Sequence, residues 1–369
     1  MTLPAGVNAL TLTAVSDRLV VGGQTTADSA PRLVALDAWG GTSDIPLVPR
    51  SGYGPLTRWL SVVSDGSQIT AVGGAYGGAH SNVRWTTWHG TLAGVEEQPQ
   101  PFDTFGGWGA GELVDAVSTP TGTILVGTWG SANAGLDGAE WTESSGTWTR
   151  LDPAGTALQS TSDVLVGPRS ATADGAGILV AGSALLLAPG ALAQRAAVWR
   201  SSGLTSGWRR IDLPDSGAAS EALSAHCATG KTGETAKSVD TCLVAGRVDG
   251  VLALWRIDGD AVRRLGDVPP VALTDTAVPP EPVVTTSGRE VVLAPEGGGT
   301  LVLTRDPAHD QRSEPGSESG SRSGSSGPGW TRLPGPPGIP LAAAVHGARL
   351  MVVCRTGEDA ATLWSASLQ

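Results

Sequence analysis

The chain has 369 residues, of which 40% are hydrophobic and 16% charged, with 52 Gly and 25 Pro; this is enough apolar material for a large core and excludes global disorder. A formal net charge of -11 repels phosphate backbones and anionic lipid surfaces, which argues against a nucleic-acid partner, and no run approaches the ~20 apolar residues of a membrane span. Gly and Pro beside many Val, Thr, Leu and Trp favour short strands and tight turns, and therefore an all-β chain.

From the N-terminus onward, apolar runs that end in a small residue recur: LVVG at Gly22, TAVG at Gly73, ILVG at Gly127, LVAG at Gly182, LVAG at Gly246, VVLA at Ala294 and MVVC at Cys354. Such spacing suits one propeller blade of about four short strands with its loops. Upstream of each run lies another apolar strand and a tight turn, as in SVVSDGSQITAV and VTTSGREVVL, where Ser, Asp and Gly supply the hydrogen bonding and positive φ of a hairpin. Downstream comes a third strand carrying an aromatic, at Trp85 and Trp88, Trp141, Trp199, Trp255 and Trp364. A fourth reads TWTRLDP, GWRRIDLP and GWTRLP, with DAVRRLGDVP as a weaker copy, and each ends in Pro, which cannot donate to a sheet.

Seven copies predict one domain, a seven-bladed β-propeller, with blades at about 7–57, 58–110, 111–162, 163–220, 221–277, 278–340 and 341–369. The seventh copy lacks a fourth strand, while TLPAG at the start matches the close of RLPGPPG. Residues 1–6 are therefore expected to complete the last blade and remove two open sheet edges. The Ser/Gly-rich stretch 306–329 reads as a flexible excursion between strands three and four of blade six.

The Gly-Gly after strand two and the Trp opening strand four resemble kelch repeats, and TESSGTWTRL resembles a degraded Asp-box of the sialidase-like propellers, with Ser145 where the Asp would stand. The chain as a repeat plan thus resembles bacterial seven-bladed propellers with degenerate kelch or Asp-box repeats. That resemblance implies a fold and no activity.

Cys227 and Cys242 flank the first hairpin of blade five and are placed to form a disulfide across its base, which would imply an oxidising compartment. Cys354 stands at a small-residue position and reads as a buried hydrophobe. An extracellular or cell-envelope location is expected, with a signal or lipid anchor removed; the alternative is cytoplasmic.

Loops joining strands two and three share one face with those leading to the next blade, and here they are the long ones. Tyr53, Tyr76, Phe102 and Phe105, with His80, Trp108 and Trp129, all fall in such loops of blades one to three, where aromatics among glycines suit a glycan, peptide or protein. Glu112, Asp163, Glu221 and Glu281 recur near the start of strand one in four consecutive blades. No cofactor is required, but such a ring at the tunnel mouth would suit calcium. His80, His89, His226, His309 and His346 show no metal-ligand spacing, and the chain has no Walker loop, G-x-S-x-G elbow, H-E-x-x-H or paired CxxC. Neither tyrosine falls on an innermost strand, against sialidase chemistry, and the few Tyr and His argue against a kelch-type copper oxidase. The leading expectation is a non-catalytic binding or scaffold propeller, monomeric, acting through the aromatic loops. The alternative is an enzyme, a hydrolase or lyase acting on a saccharide or lactone at the tunnel mouth.

Overall fold

The computed structural model describes residues 3–77, 82–230, 239–273, 278–285, 287–306, 329–358 and 360–368. It is all-β, with one helical turn at Phe102–Phe105 and one 3-10 turn at Gly54–Leu56 among the described residues. Seven antiparallel meanders run in chain order, and the first strands of successive blades touch one another around a common axis, blade seven against blade one included. Those inner strands are Val7–Val15, Arg58–Ser64, Ala110–Thr119, Val164–Asp174, Ser220–Gly230, Glu281–Val284 and Ile339–His346. The architecture is a seven-bladed β-propeller.

Why the second strands read as unbroken apolar runs follows from where their side chains go. In blade five Cys242 and Val244 enter the core shared with blade four, whereas Leu243 and Ala245 enter the core shared with blade six. In blade one Val20 faces blade two, and Leu19 and Val21 face blade seven. Alternation persists, but both faces are buried, so period two disappears from the hydrophobicity. Seven apolar clusters result, one between each pair of adjacent blades. Trp88, Trp141, Trp199 and Trp255, all on third strands, are their largest fully buried side chains.

The small residue that ends each run has a structural cause. In six blades the inner strand is bulged by one residue, between Ala9 and Thr11, Trp59 and Ser61, Leu113 and Asp115, Pro168 and Ser170, Ala222 and Ser224, and Pro340 and Ala342. Opposite these bulges stand Gly23, Gly73, Gly127, Gly182, Gly246 and Cys354. A Cβ on Gly73, Gly127, Gly182 or Gly246 would run into a backbone carbonyl of the bulged strand. In blade one the residue in this role is Gly23, one position after the glycine that the sequence pattern aligns. Blade six pairs Glu281 through Val284 in simple register, and its equivalent position holds Ala294.

Two features differ from the sequence reading. The seventh sheet has three strands among the described residues, and no N-terminal strand joins it: Ala5 and Gly6 form a turn, with Gly6 at φ +74, directly before the first inner strand. Closure comes instead from packing, because Val7, Ala9, Leu12 and Val21 share a core with Met351, Val353 and Leu363, and Leu3 packs onto it. Second, Leu47–Val48 leaves blade one and pairs in parallel with Gly94–Gln98, giving blade two a fifth strand.

Strands three and four of blade six, Gly299–Arg305 and Thr331–Pro337, flank the Ser/Gly-rich stretch, of which residues 307–328 lie outside the described residues. Cys227 and Cys242 are cross-strand partners joined by a disulfide, and Cys354 is buried and free.

Candidate functional site

Sequence places two loops at the junction of blades two and three, and backbone chemistry fixes both. The first enters blade two and carries Tyr53. The buried carboxylate of Glu97 accepts hydrogen bonds from the backbone N–H groups of Arg50 (2.7 Å) and Ser51 (2.9 Å) and from the Ser51 hydroxyl (2.5 Å). Such charge-assisted bonds to one carboxylate hold the turn rigidly. Tyr53 then lies over Gly77, where any Cβ would strike its ring.

The second loop leads from Gln98 to Ala110. Gln100 binds it to blade three, donating to the Gly146 carbonyl (2.8 Å) and accepting from the Trp148 N–H (2.9 Å). The indole of Trp141 donates to the Thr104 carbonyl at 2.9 Å, and Phe105, buried, packs against the Trp141 ring at 5.8 Å. With Phe105 turned inward as an anchor, Phe102 faces out at 61% exposure and Trp108 projects at 109%. Tyr76, at the end of blade two's second strand, is 81% exposed.

Beside the second loop lies a cleft of about 680 Å3 whose walls include Tyr76, Arg84, Trp85, Phe102, Trp108 and Glu112. A second, of about 270 Å3, adds Tyr53, Glu97 and Gln100 and shares Arg84, Trp85 and Phe102 with the first. The guanidinium of Arg84 sits over the Phe102 ring, 4.7 Å from its centroid.

Five of the seven aromatic-loop candidates therefore converge: Tyr53, Tyr76, Phe102 and Trp108 as walls and Phe105 as anchor. Trp129 stands apart, edge-on to Trp141 at 6.2 Å with Arg150 stacked on it at 4.6 Å, in a packing role. His80 lies outside the described residues. Arg84 is the member that sequence reasoning missed. Its signal was there, since it alternates with Trp85 along a third strand at the rim of the long loops.

The four acidic candidates do not form a ring. Glu112 is exposed in the cleft wall, and Asp163 is exposed in a turn before blade four, where its carboxylate accepts from Ser162. Glu221 is buried and ion-paired to both Arg169 (2.6 Å) and Arg247 (3.3 Å), so its charge is already matched. Glu281 alone lines the axis. There burial, together with the charge of Asp115, pushes its carboxyl up to about 8. Among the described residues, the one group of three or more His, Cys, Asp and Glu ligand atoms close enough to share an ion is Asp174 with Cys227 and Cys242, whose sulfurs are bonded to each other.

Asp115 is the acidic residue the repeat pattern did not single out. It stands just past the bulge of blade three, at the position occupied by Ser61, Ser170 and Ser224 in their blades. Its carboxylate accepts from the Ser61 hydroxyl of blade two (2.9 Å), the Ala171 N–H of blade four (3.1 Å) and the Ala116 N–H (2.9 Å). Burial raises it to about 6, against the pull of those three bonds. His226, on the inner strand of blade five, accepts from the Val284 N–H at 3.2 Å through Nδ1, and burial lowers it to about 4, a neutral interior histidine.

No protein-family model matches this sequence, and no curated protein matches it in sequence. Solved structures do match. One is an ulvan lyase of a new polysaccharide lyase family, with 12% identity and a TM-score of 0.52 over 99% of this chain and 94% of that one. A second ulvan lyase structure, bound to -[GlcA(1-4)Rha3S]-, gives 11% and 0.53 over the same shares. The WD40 β-propeller domain of Doa1 gives 11% and 0.53 over 99% of this chain and 95% of that one. The likeness is one of fold. An enzyme and a WD40 domain match equally well, so the fold does not choose between them.

Proposed function

We propose that this chain is a non-catalytic binding propeller of the cell envelope or extracellular space, and that it holds a glycan in the cleft between blades two and three. One observation carries the reading: three large aromatic rings, Tyr76, Phe102 and Trp108, are left open to solvent around a single cleft. Exposed aromatics cost solvation unless something covers them, and a sugar ring offers the C–H face that stacks on them. Arg84, Asn82 and Glu112 alternate with the rings in the same walls and supply partners for hydroxyl groups, which a purely apolar ligand would leave unmatched. The Cys227–Cys242 disulfide supports an oxidising compartment.

The test is affinity electrophoresis and calorimetry of the intact protein against a panel of soluble polysaccharides. Trp108→Ala and Tyr76→Ala remove exposed rings and should leave the unfolding temperature in place. Each should weaken binding by roughly 2- to 10-fold, as aromatic stacking contacts of ~0.5–1.5 kcal/mol predict. Full-strength binding by the double variant would end the reading.

A second reading rests on the inner carboxyls. Asp115 and Glu281, on inner strands of blades three and six, are two acids of unequal proton affinity whose charges interact, the pattern of an acid and base pair in a hydrolase or lyase. It requires turnover of a saccharide or lactone that Glu281→Gln abolishes and Trp108→Ala does not. The three structural bonds held by Asp115 favour the binding reading.

A further inference from the structure

We infer that the ligand of this cleft is an acidic glycan, whose uronate carboxylate is received by the guanidinium of Arg84. The inference rests on the proposed glycan site and names the ligand class within it.

Arg84 differs from most cations of the chain. Arg32, Arg50, Arg169, Arg200, Arg247 and Arg256 each hold a carboxylate, as expected where acidic residues outnumber basic ones 35 to 24. Others, such as Arg195 and Arg264, donate to backbone carbonyls. Among the described residues Arg84 has neither; its guanidinium lies on the face of Phe102. A stacked guanidinium keeps its N–H edge free, and that edge is a planar fork matched to a planar carboxylate. Both clefts include Arg84 in their walls, so a ligand lying along the aromatic rings passes it in either direction.

Its surroundings sharpen the ligand class. Phe102 lies beneath the guanidinium, and Tyr76 and Trp108 line the same cleft, so the unit carrying the negative charge must also offer a flat apolar face. A uronic acid does both in one ring. Glu112, in the wall of the same cleft, repels a densely anionic chain and accepts hydroxyl groups, which selects a sugar carboxylate over a phosphate-rich polymer.

Calorimetry of the full-length protein with three probes tests this: a uronate-containing oligosaccharide, the same oligosaccharide with its carboxyls reduced to alcohols, and a sulfated neutral oligosaccharide. The wild type should prefer the uronate to its reduced form by roughly 10- to 100-fold, the range of a hydrogen-bonded charge pair. Arg84→Met keeps the stem over Phe102 and should bring that ratio close to one, while Arg84→Lys restores part of it. The preference should shrink as salt rises from 0.05 to 0.5 M. Equal affinity for the uronate and its reduced form, a ratio unmoved by Arg84→Met, or a stronger preference for the sulfated probe overturns the assignment to a carboxylate. Absence of binding by every probe, reduced form included, overturns instead the glycan reading on which it rests.

Discussion

Replacing Glu281 by Gln should flatten the fall of stability with rising pH. In the folded protein burial, reinforced by Asp115, holds this carboxyl near 8 against an ordinary 4.5. Between those values the native state keeps a proton that the unfolded chain has released, so stability falls as pH rises; the contribution is complete below about 4.5 and gone above about 8. Taken at face value the displacement corresponds to roughly 5 kcal/mol, an upper bound, since part of it depends on the charge state of Asp115. Three other displaced groups finish titrating lower: Asp115 at about 6 and Glu140 at about 7 act in the same direction, and His226, lowered to about 4, acts in the opposite sense between 4 and 6.5. The interval from pH 7 to 8 is therefore where Glu281 is best separated from these three groups. A single carboxyl with a native value near 8 loses ~1 kcal/mol of stabilisation across that interval. Glu290 is also raised, by burial working against Arg256 and Arg305, so the informative quantity is the difference between wild type and variant.

Urea unfolding at pH 7 and pH 8, followed by the fluorescence of the buried tryptophans, measures that difference. Wild type should lose ~1 kcal/mol more than Glu281→Gln on going from 7 to 8. Equal losses in the two proteins would refute the placement of Glu281 in a buried, charge-coupled site at the axis.

Replacing Cys227 and Cys242 by Ala, or reducing the bond that spans 15 positions in sequence, should lower unfolding stability by ~3 kcal/mol, read from urea midpoints with and without reductant. Gly246→Ala drives a methyl into the Glu221 carbonyl of the bulged inner strand and should cost ~2–3 kcal/mol by the same assay. Trp141→Phe removes the hydrogen bond that holds the Thr104 carbonyl; it should destabilise the chain by ~2 kcal/mol and also weaken ligand binding, because the loop presenting Phe102 loses its staple.

The repeat was legible because every second strand meets two cores and, in six of the seven blades, a bulge. Both leave marks in composition, continuous apolar residues and a glycine. Ring closure was misread because TLPAG matches the exit of a fourth strand in letters only: what joins blade one to blade seven is a shared apolar core, and that requires no motif. The aromatic loops were legible since Tyr53, Tyr76, Phe102 and Trp108 interrupt glycine-rich stretches that no core demands. Trp129 carries the same local signature yet packs edge-on against Trp141 of the neighbouring strand, a contact that local sequence does not show. Spacing showed neither the pairing of Glu221 with Arg169, 52 positions earlier, nor the hold of Asp115 on Ser61 and Ala171.

The loop face gives the reason the proposed site falls on blades two and three. At blades four and five its polar groups answer one another: Glu221 satisfies Arg169 and Arg247, and Arg195 donates to the Ala218 carbonyl. At blades two and three the loops are as firmly held, by Glu97, Gln100 and Trp141, yet the groups around the cleft are left unmet: Arg84, from a third strand, stacked on Phe102, with Tyr76 and Trp108 exposed. A rigid support under unsatisfied groups incurs little ordering entropy when a ligand arrives, which is the condition under which such groups bind something. The matched arc has no comparable reason to bind, so a ligand that contacts the whole rim should owe its affinity to the unmatched arc.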